Sequence, residues 1–243
     1  ILEDIEDPVE KLKLARVLTR RYPQSAWAHI ILGRVYLELN FISDAIDAFQ
    51  NSIQIRPNFD LTWSYLCHTY GISDRKMEAI EACQHAVKLN PDESDNWYFL
   101  GEAYKESNKY EDAAASFQKA VRIVPGSADS WIELGRVSGR LSRYSDEMVA
   151  CQKAIELASN NYEAWICIGG AYGHSNLYKE AISAFVRAVE LVPKSADAWS
   201  GLALNLEDAG NHEQAIEAAK KVIELEPKRG RSLLEMLVLT NIK

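Results

Sequence analysis

The amino-acid sequence predicts an all-α solenoid of antiparallel helix pairs, and three series of equally spaced residues support this prediction. Tryptophan recurs at a constant interval of 34 residues, while proline and alanine keep the same interval with one gap each. The series are Trp63, Trp97, Trp131, Trp165 and Trp199; Pro23, Pro57, Pro91, Pro125, Pro193 and Pro227; and Ala45, Ala79, Ala113, Ala181 and Ala215. Ser159 and Glu147 stand at the two gaps. Three series in one phase indicate a true internal repeat.

Within each repeat the apolar residues follow a helical period. The segment WYFLGEAY and, after a short polar turn, the segment YEDAAASFQKAVRIVP both place their apolar residues on one helical face. Because a proline cannot continue a helix, Pro125 ends the second segment. Each repeat is therefore predicted to be a first helix, a tight turn and a second helix.

These residues resemble the signature of the tetratricopeptide repeat, W-x2-L-G-x2-Y followed by A-x3-F-x2-A and a closing proline. One repeat matches the signature at every site: Trp97, Leu100, Gly101, Tyr104, Ala113, Phe117, Ala120 and Pro125. The resemblance implies a right-handed superhelix with the first helices on its concave side. It also implies a non-catalytic scaffold that binds a protein or peptide. The tryptophan and phenylalanine are expected to fill the wedge between helices.

The repeat frame divides the chain into six full repeats and two terminal segments. The boundaries are 1–25 for an N-terminal half-repeat helix, 26–59, 60–93, 94–127, 128–161, 162–195 and 196–229 for repeats 1 to 6, and 230–243 for a C-terminal packing helix. Asp7 is expected to cap the N-terminal helix and Pro8 to occupy its first turn. The helix after residue 230 is apolar around much of its girth, which predicts further repeats in a longer parent, a partner, or a second copy.

Composition excludes several classes of function. The net charge of −8 is opposite to that of a nucleic-acid-binding surface, and no apolar run reaches the roughly 18 residues that a membrane span needs. The cytoplasm is the default compartment, with a signal or anchor on the parent chain as the alternative. The four cysteines are expected to be unbonded thiols packed in the core.

No catalytic, metal or cofactor site is predicted. The five histidines lack the H-E-x-x-H spacing, and the chain contains no G-x-S-x-G, Walker or G-x-G-x-x-G motif. The sequence therefore predicts a protein that is not an enzyme and needs no cofactor.

The residues one, five and nine positions after each tryptophan site are predicted to face the concave groove. The candidate peptide-binding residues chosen from these positions are Ile30, Arg34, Ser64, His68, Tyr98, Glu102, Ile132, Arg136, Arg140, Ile166, His174 and Leu204. Trp27 is expected to join them in repeat 1. Arg136 and Arg140 form a predicted basic spot that suits carboxylates, so a peptide with acidic and apolar side chains is expected near repeat 4.

Two specific functions within the family are not supported. The lysine and asparagine clamp of co-chaperones is absent, because the matching sites hold residues such as Ile30, Ser64 and Tyr98. The asparagine ladder of arrays linked to glycosyltransferases is also absent from the predicted inner sites. Two alternatives to a free-standing scaffold remain. The chain is either a targeting module of a larger enzyme, such as a glycosyltransferase or phosphatase, or an array that self-associates end to end.

Overall fold

The computed structural model describes residue 5 and residues 7–240, and within this part the secondary structure is entirely helical. The helices are α1 (Pro8–Arg21), α2 (Ala26–Glu38), α3 (Ile42–Ile55), α4 (Asp60–Ile72), α5 (Lys76–Leu89), α6 (Ser94–Glu106), α7 (Tyr110–Ile123), α8 (Ala128–Arg140), α9 (Tyr144–Leu157), α10 (Tyr162–His174), α11 (Tyr178–Leu191), α12 (Ala196–Asp208), α13 (His212–Leu225) and α14 (Pro227–Thr240). The predicted all-α repeat solenoid is confirmed.

The chain forms two compact units, Ile1–Pro125 and Gly126–Lys243. The first unit contains α1 to α7 and the second contains α8 to α14. Within each unit every first helix packs against the second helix of its own repeat. The first helices α2, α4, α6, α10 and α12 also pack against the helix that precedes them in the chain. The first helices begin at the first residue of each predicted repeat.

A phenylalanine ring packed on a glycine joins the two helices of repeats 1, 3 and 5. Phe49, Phe117 and Phe185 on the second helices are buried. A Cβ atom added to Gly33, Gly101 or Gly169 would lie 2.5, 2.7 or 2.9 Å from the ring of its own repeat. The ring therefore occupies the space that any larger residue would need, and its burial contributes about 1.5–3 kcal/mol.

The tryptophans have a different role from the expected core wedge. The tryptophans at this site are only partly buried, and the indole N–H groups of four of them donate to the carbonyl six residues earlier: Trp63, Trp97, Trp165 and Trp199. Trp63 donates to Pro57 at 2.8 Å, for example. His29 replaces the tryptophan in repeat 1, and its Nε2 lies 3.1 Å from the carbonyl oxygen of Pro23. In repeats 1, 2, 3, 5 and 6 the residue at the tryptophan site therefore ties the start of the first helix to the loop before it.

A left-handed residue separates the two helices of every repeat. The residues with positive φ are Asn40, Asp74, Asn108, Ser142, Asn176 and Gly210, with φ between 57° and 78°. Glycine has no Cβ to clash in this region, and short polar side chains tolerate it better than most. Because these residues recur at the repeat interval, every repeat has the same sharp reversal of the chain between its two helices.

The terminal helices of the described part are α1 and α14. Asp7 accepts a hydrogen bond from the Val9 amide at 2.9 Å, and Pro8 is the first residue of α1. At the other end α14 packs on α13 and starts at Pro227 rather than at residue 230. Leu237 is fully buried there, whereas Leu239 is 66% exposed. One side of α14 completes the core and the other remains open.

The expectation of unbonded cysteines is wrong in this structure, which pairs all four. Cys67 bonds Cys83 and Cys151 bonds Cys167, with Cα–Cα distances of 5.1 and 5.4 Å. Cys83 and Cys151 stand at the phenylalanine position of repeats 2 and 4. The sulfur atoms of the second pair cover Gly135, where an added Cβ would lie 2.6 and 2.7 Å from them. The two disulfides therefore fill the site that a phenylalanine ring fills elsewhere.

The ring-on-glycine contact predicts that Gly101→Leu destabilises the first unit. The new side chain meets Phe117 in a packed core, so overpacking should cost about 1–3 kcal/mol or more. The measurement is the urea midpoint followed by far-UV circular dichroism. Gly71→Ala is the matched control, because a Cβ at Gly71 meets nothing within 4 Å and removing a helical glycine should stabilise by about 0.5–1 kcal/mol. Equal midpoints for both variants would contradict the assigned core.

The disulfide pairing predicts that protein purified without reductant has no free thiol. Denatured protein treated with iodoacetamide should gain no carbamidomethyl group, and four should appear after reduction, as counted by intact mass. Peptide mapping should join Cys67 to Cys83 and Cys151 to Cys167. Alkylation of all four cysteines before reduction would show that these positions hold packed thiols instead.

Candidate binding surface

Three of the predicted groove residues are buried in the helix packing. Ile30 and Ile132 are 0% and 1% exposed, and Ser64 is buried with its hydroxyl bonded to Asn96. All three follow the tryptophan site by one position. Residues four apart on a helix differ by about 40° around its axis. Residues one, five and nine positions after the tryptophan site therefore do not share a single helical face. In these three repeats the first of them lies in the core.

The later members of the row lie on open faces. In the first unit Arg34 and His68 follow the tryptophan site by five positions, and the Arg34 guanidinium lies 5.9 Å from the Tyr65 ring centre. Trp27 is exposed and packs edge-on against Phe59, with ring centres 5.0 Å apart. Trp27 and His68 are exposed, and Arg34 is partly buried.

A pocket of about 420 Å³ lies between α4 and α6 in the first unit. It brings together three predicted residues, His68, Tyr98 and Glu102. The remaining lining residues are Cys67, Gly71, Ile72, Asp74, Lys76, Ala79, Phe99, Ala103 and Glu106. We call this site the α4–α6 pocket. Its volume falls in the range typical of ligand pockets.

The α4–α6 pocket combines apolar walls with charged edges. Ile72 is 53% exposed at the pocket, although burying an isoleucine side chain away from water is favourable. Glu102 pairs with Lys105 at 2.6 Å, and Asp74 pairs with Lys76 at 3.4 Å. Burial lowers the pKa of His68, so its imidazole is neutral at physiological pH.

In the second unit Arg136 is already engaged within the protein. Its guanidinium donates to Glu133 at 2.7 Å and to Glu163 at 3.1 Å, which joins α8 to α10. Burial lowers the pKa of Arg136, but the two carboxylates outweigh burial and raise it. The predicted basic spot therefore has one guanidinium held by two glutamates, while Arg140 is exposed.

The other predicted residues of the second unit differ in accessibility. Leu204 is exposed, whereas Ile166 is partly buried against the core that contains Phe185. His174 is about half exposed and its Nδ1 lies 2.8 Å from a carboxylate oxygen of Glu147. The ring of Tyr144 stacks on His174 with centres 5.0 Å apart.

Glu147 is a buried carboxylate in the place of a repeat alanine. A Cβ on Gly139 would lie 2.6 Å from its Oε1, so the glycine makes room for the larger side chain. Burial raises the pKa of Glu147, and the hydrogen bond and charge of His174 partly offset that rise. The sequence shows that the repeat alanine is missing at Glu147, but it does not by itself predict the contact between Glu147 and His174. The occurrence of Glu147 together with Gly139 is the sequence signal for a buried carboxylate here.

A second depression, of about 710 Å³, lies over α12 between α11 and α13. Its lining is mainly apolar and includes Ile182, Val186, Trp199 and Ile216. The pattern of the first helices does not predict it, because most of its lining residues lie on the second helices α11 and α13.

The described residues lack two further kinds of feature, a membrane span and a metal-binding cluster. No described helix has the length and apolar character to cross a membrane. No group of three or more histidine, cysteine, aspartate or glutamate side chains with metal-binding geometry occurs in the described part.

Comparison with known families identifies the repeat. The tetratricopeptide repeat profile matches residues 73–128, 101–162 and 170–229, which together cover more than half of the chain. The chain belongs to the tetratricopeptide repeat family. No curated protein sequence matches it significantly.

Solved structures share the fold. Cut9–Hcn1, a hetero-tetramer of APC/C, aligns with a TM-score of 0.78 at 24% identity, over 94% of this chain and 46% of that chain. The chain thus spans less than half of that protein. YrrB, described as a tetratricopeptide protein with an unusual peptide-binding site, aligns with a TM-score of 0.62 at 24% identity, over 81% of this chain and 98% of YrrB. MamA aligns with a TM-score of 0.62 at 26% identity, over 67% of this chain and 95% of MamA.

The raised pKa of Glu147 predicts that its ionisation costs stability. The cost is absent below the unfolded value, near the ordinary 4.5, and is complete once the pH exceeds the higher folded value. Glu147→Gln should therefore raise Tm relative to wild type at pH 8, with a gain that shrinks towards pH 4. Differential scanning calorimetry measures both. Glu156→Gln, on the exposed side of the same helix, should show no such trend.

His174→Ala provides the complementary measurement. It removes the partner that lowers the Glu147 pKa, so the loss of stability with rising pH should become larger. A pH profile that His174→Ala leaves unchanged would contradict the assigned coupling.

Proposed function

We propose that this chain is a non-catalytic interaction scaffold that binds a peptide or protein segment along the open faces of its first helices. The observation that carries the proposal is the α4–α6 pocket. It gathers His68, Tyr98 and Glu102 from two neighbouring first helices into one cavity of about 420 Å³. Tetratricopeptide repeats are in general protein–protein interaction modules, and YrrB is a family member described as having a peptide-binding site.

The character of the pocket supports a peptide as the occupant. Ile72 and Tyr98 offer apolar contact area, and Glu102 and Glu106 offer hydrogen-bond acceptors at one edge. Binding sites combine such apolar surface with a few placed polar groups. In the second unit we propose that Arg140 and Leu204 are contact residues on the corresponding open faces, since both are exposed.

Self-association is a second candidate, because α14 leaves apolar side chains in solvent. Val238 and Leu239 of α14 are 42% and 66% exposed. An identical surface on a second copy would cover them, and homo-oligomers use such self-complementary patches. Light scattering at high concentration is therefore part of the test below.

A selection from a random peptide display library tests the scaffold. Gly71→Trp fills the α4–α6 pocket without displacing the core, since a Cβ there meets nothing within 4 Å. Arg140→Glu reverses a charge on the second unit. Peptides selected on wild type should bind one of these variants at least tenfold more weakly, measured by fluorescence anisotropy.

Ala115→Trp is the matched control, because Ala115 is an exposed small residue on a second helix. Its affinities should equal those of wild type. If neither first-helix variant weakens binding, the proposed surface is wrong. A wild-type sample that scatters light as a dimer or larger species supports the second candidate.

A further inference from the structure

We propose that the α4–α6 pocket binds a lysine or arginine side chain of a peptide, next to an apolar residue of the same segment. The inference rests on the proposed scaffold function and names the chemistry of its ligand at one site.

The charge balance of the pocket favours a cation. Three carboxylates line it, those of Asp74, Glu102 and Glu106, against one lysine ammonium, that of Lys76. Lys76 lies within 3.4 Å of Asp74, and Lys105 next to the pocket lies 2.6 Å from Glu102. Among the described residues Glu106 has no cationic partner within ion-pair distance. An incoming cation thus meets a carboxylate whose charge nothing nearby has neutralised.

The remaining polar group does not reverse this balance. The imidazole of His68 lies on the facing helix, and its lowered pKa keeps it uncharged. An acidic peptide side chain would meet the unneutralised carboxylate of Glu106 and no protonated histidine. The pocket therefore repels a carboxylate by the same interactions that attract an ammonium or guanidinium group.

The walls fit the stem of a long cationic side chain. Tyr98 and Phe99 present ring edges and faces, with their ring centres 5.9 Å apart, and the His68 ring lies 5.7 Å from Phe99. Lysine and arginine bury their methylene groups along apolar surface while the charged head stays at the polar edge. The exposed Ile72 at the same pocket gives a neighbouring apolar side chain its contact.

The pocket floor is rigid. Cys67 and Ala79, from the two helices of repeat 2, are almost fully buried at its base, and Cys67 is bonded to Cys83. A ligand side chain therefore enters a preformed site, which lowers the entropy that binding must overcome.

The experiment uses four heptapeptide libraries with random flanks and a fixed central residue: arginine, lysine, citrulline or glutamate. Citrulline keeps the shape of arginine without its charge. Each library is passed over the immobilised full chain and the retained fraction is measured. The arginine and lysine libraries should be retained at least tenfold better than the citrulline and glutamate libraries.

Two matched double variants locate the effect. Glu102→Gln with Glu106→Gln should abolish the preference for the basic libraries. Glu156→Gln with Glu190→Gln makes the same change in net charge on exposed second-helix positions of the other unit, and should keep the preference. Circular dichroism confirms that both variants remain helical.

Each other outcome overturns a specific claim. If Gly71→Trp weakens retention but the arginine and citrulline libraries are retained equally, or the glutamate library is retained best, the proposed cationic ligand is wrong and the scaffold function is still supported. A basic preference that survives Glu102→Gln with Glu106→Gln rejects the site. Retention that no first-helix variant changes rejects the scaffold as well.

Discussion

In repeats 1, 3 and 5 the close approach of the two helices depends on a single contact, a phenylalanine on the second helix packed on a glycine of the first. Phe117 on Gly101 shows it most simply, and Phe185 extends it by also covering Gly201 of the next repeat. Because the ring fills the volume that a Cβ would need, it fixes the distance between the helices. A disulfide stands at the same site in repeats 2 and 4: Cys67–Cys83 joins the two helices of repeat 2, and Cys151–Cys167 joins α9 of repeat 4 to α10 of repeat 5. Disulfides are rare in reducing compartments, so their presence in the purified protein would bear on where this chain works.

Once that contact sets the spacing, the open faces of the first helices are free to vary. The residues five positions after the tryptophan site are chemically unrelated: Arg34, His68, Glu102, Arg136, Gly170 and Leu204. None of them is needed for the ring-on-glycine contact. Under the proposed scaffold function, stability and recognition therefore occupy different sides of the same helix, as expected when neighbouring repeats supply the core.

The sequence predicted the helices well, because the repeat interval, the prolines and the turn residues are local signals. Side-chain partners were harder to predict. Ile30 shares a helical row with Arg34, yet the small rotation per turn carries Ile30 into the core. Arg136 was visible as a charge, but its two glutamates lie on different helices, and only the packing brings Glu163 within 3.1 Å. The cysteine pairs were missed for the same reason.

Charge neutralisation within the fold decides which first-helix charges are left for a ligand. In the second unit the guanidinium of Arg136 donates hydrogen bonds to Glu133 and Glu163, so these two carboxylates largely neutralise its charge within the protein. In the first unit each lysine near the α4–α6 pocket has its own carboxylate, and Glu106 is an additional one. An expectation built from the arginines alone favours an acidic peptide. Counting the partners of each charge favours a basic one, since only the unneutralised charge acts on an incoming side chain.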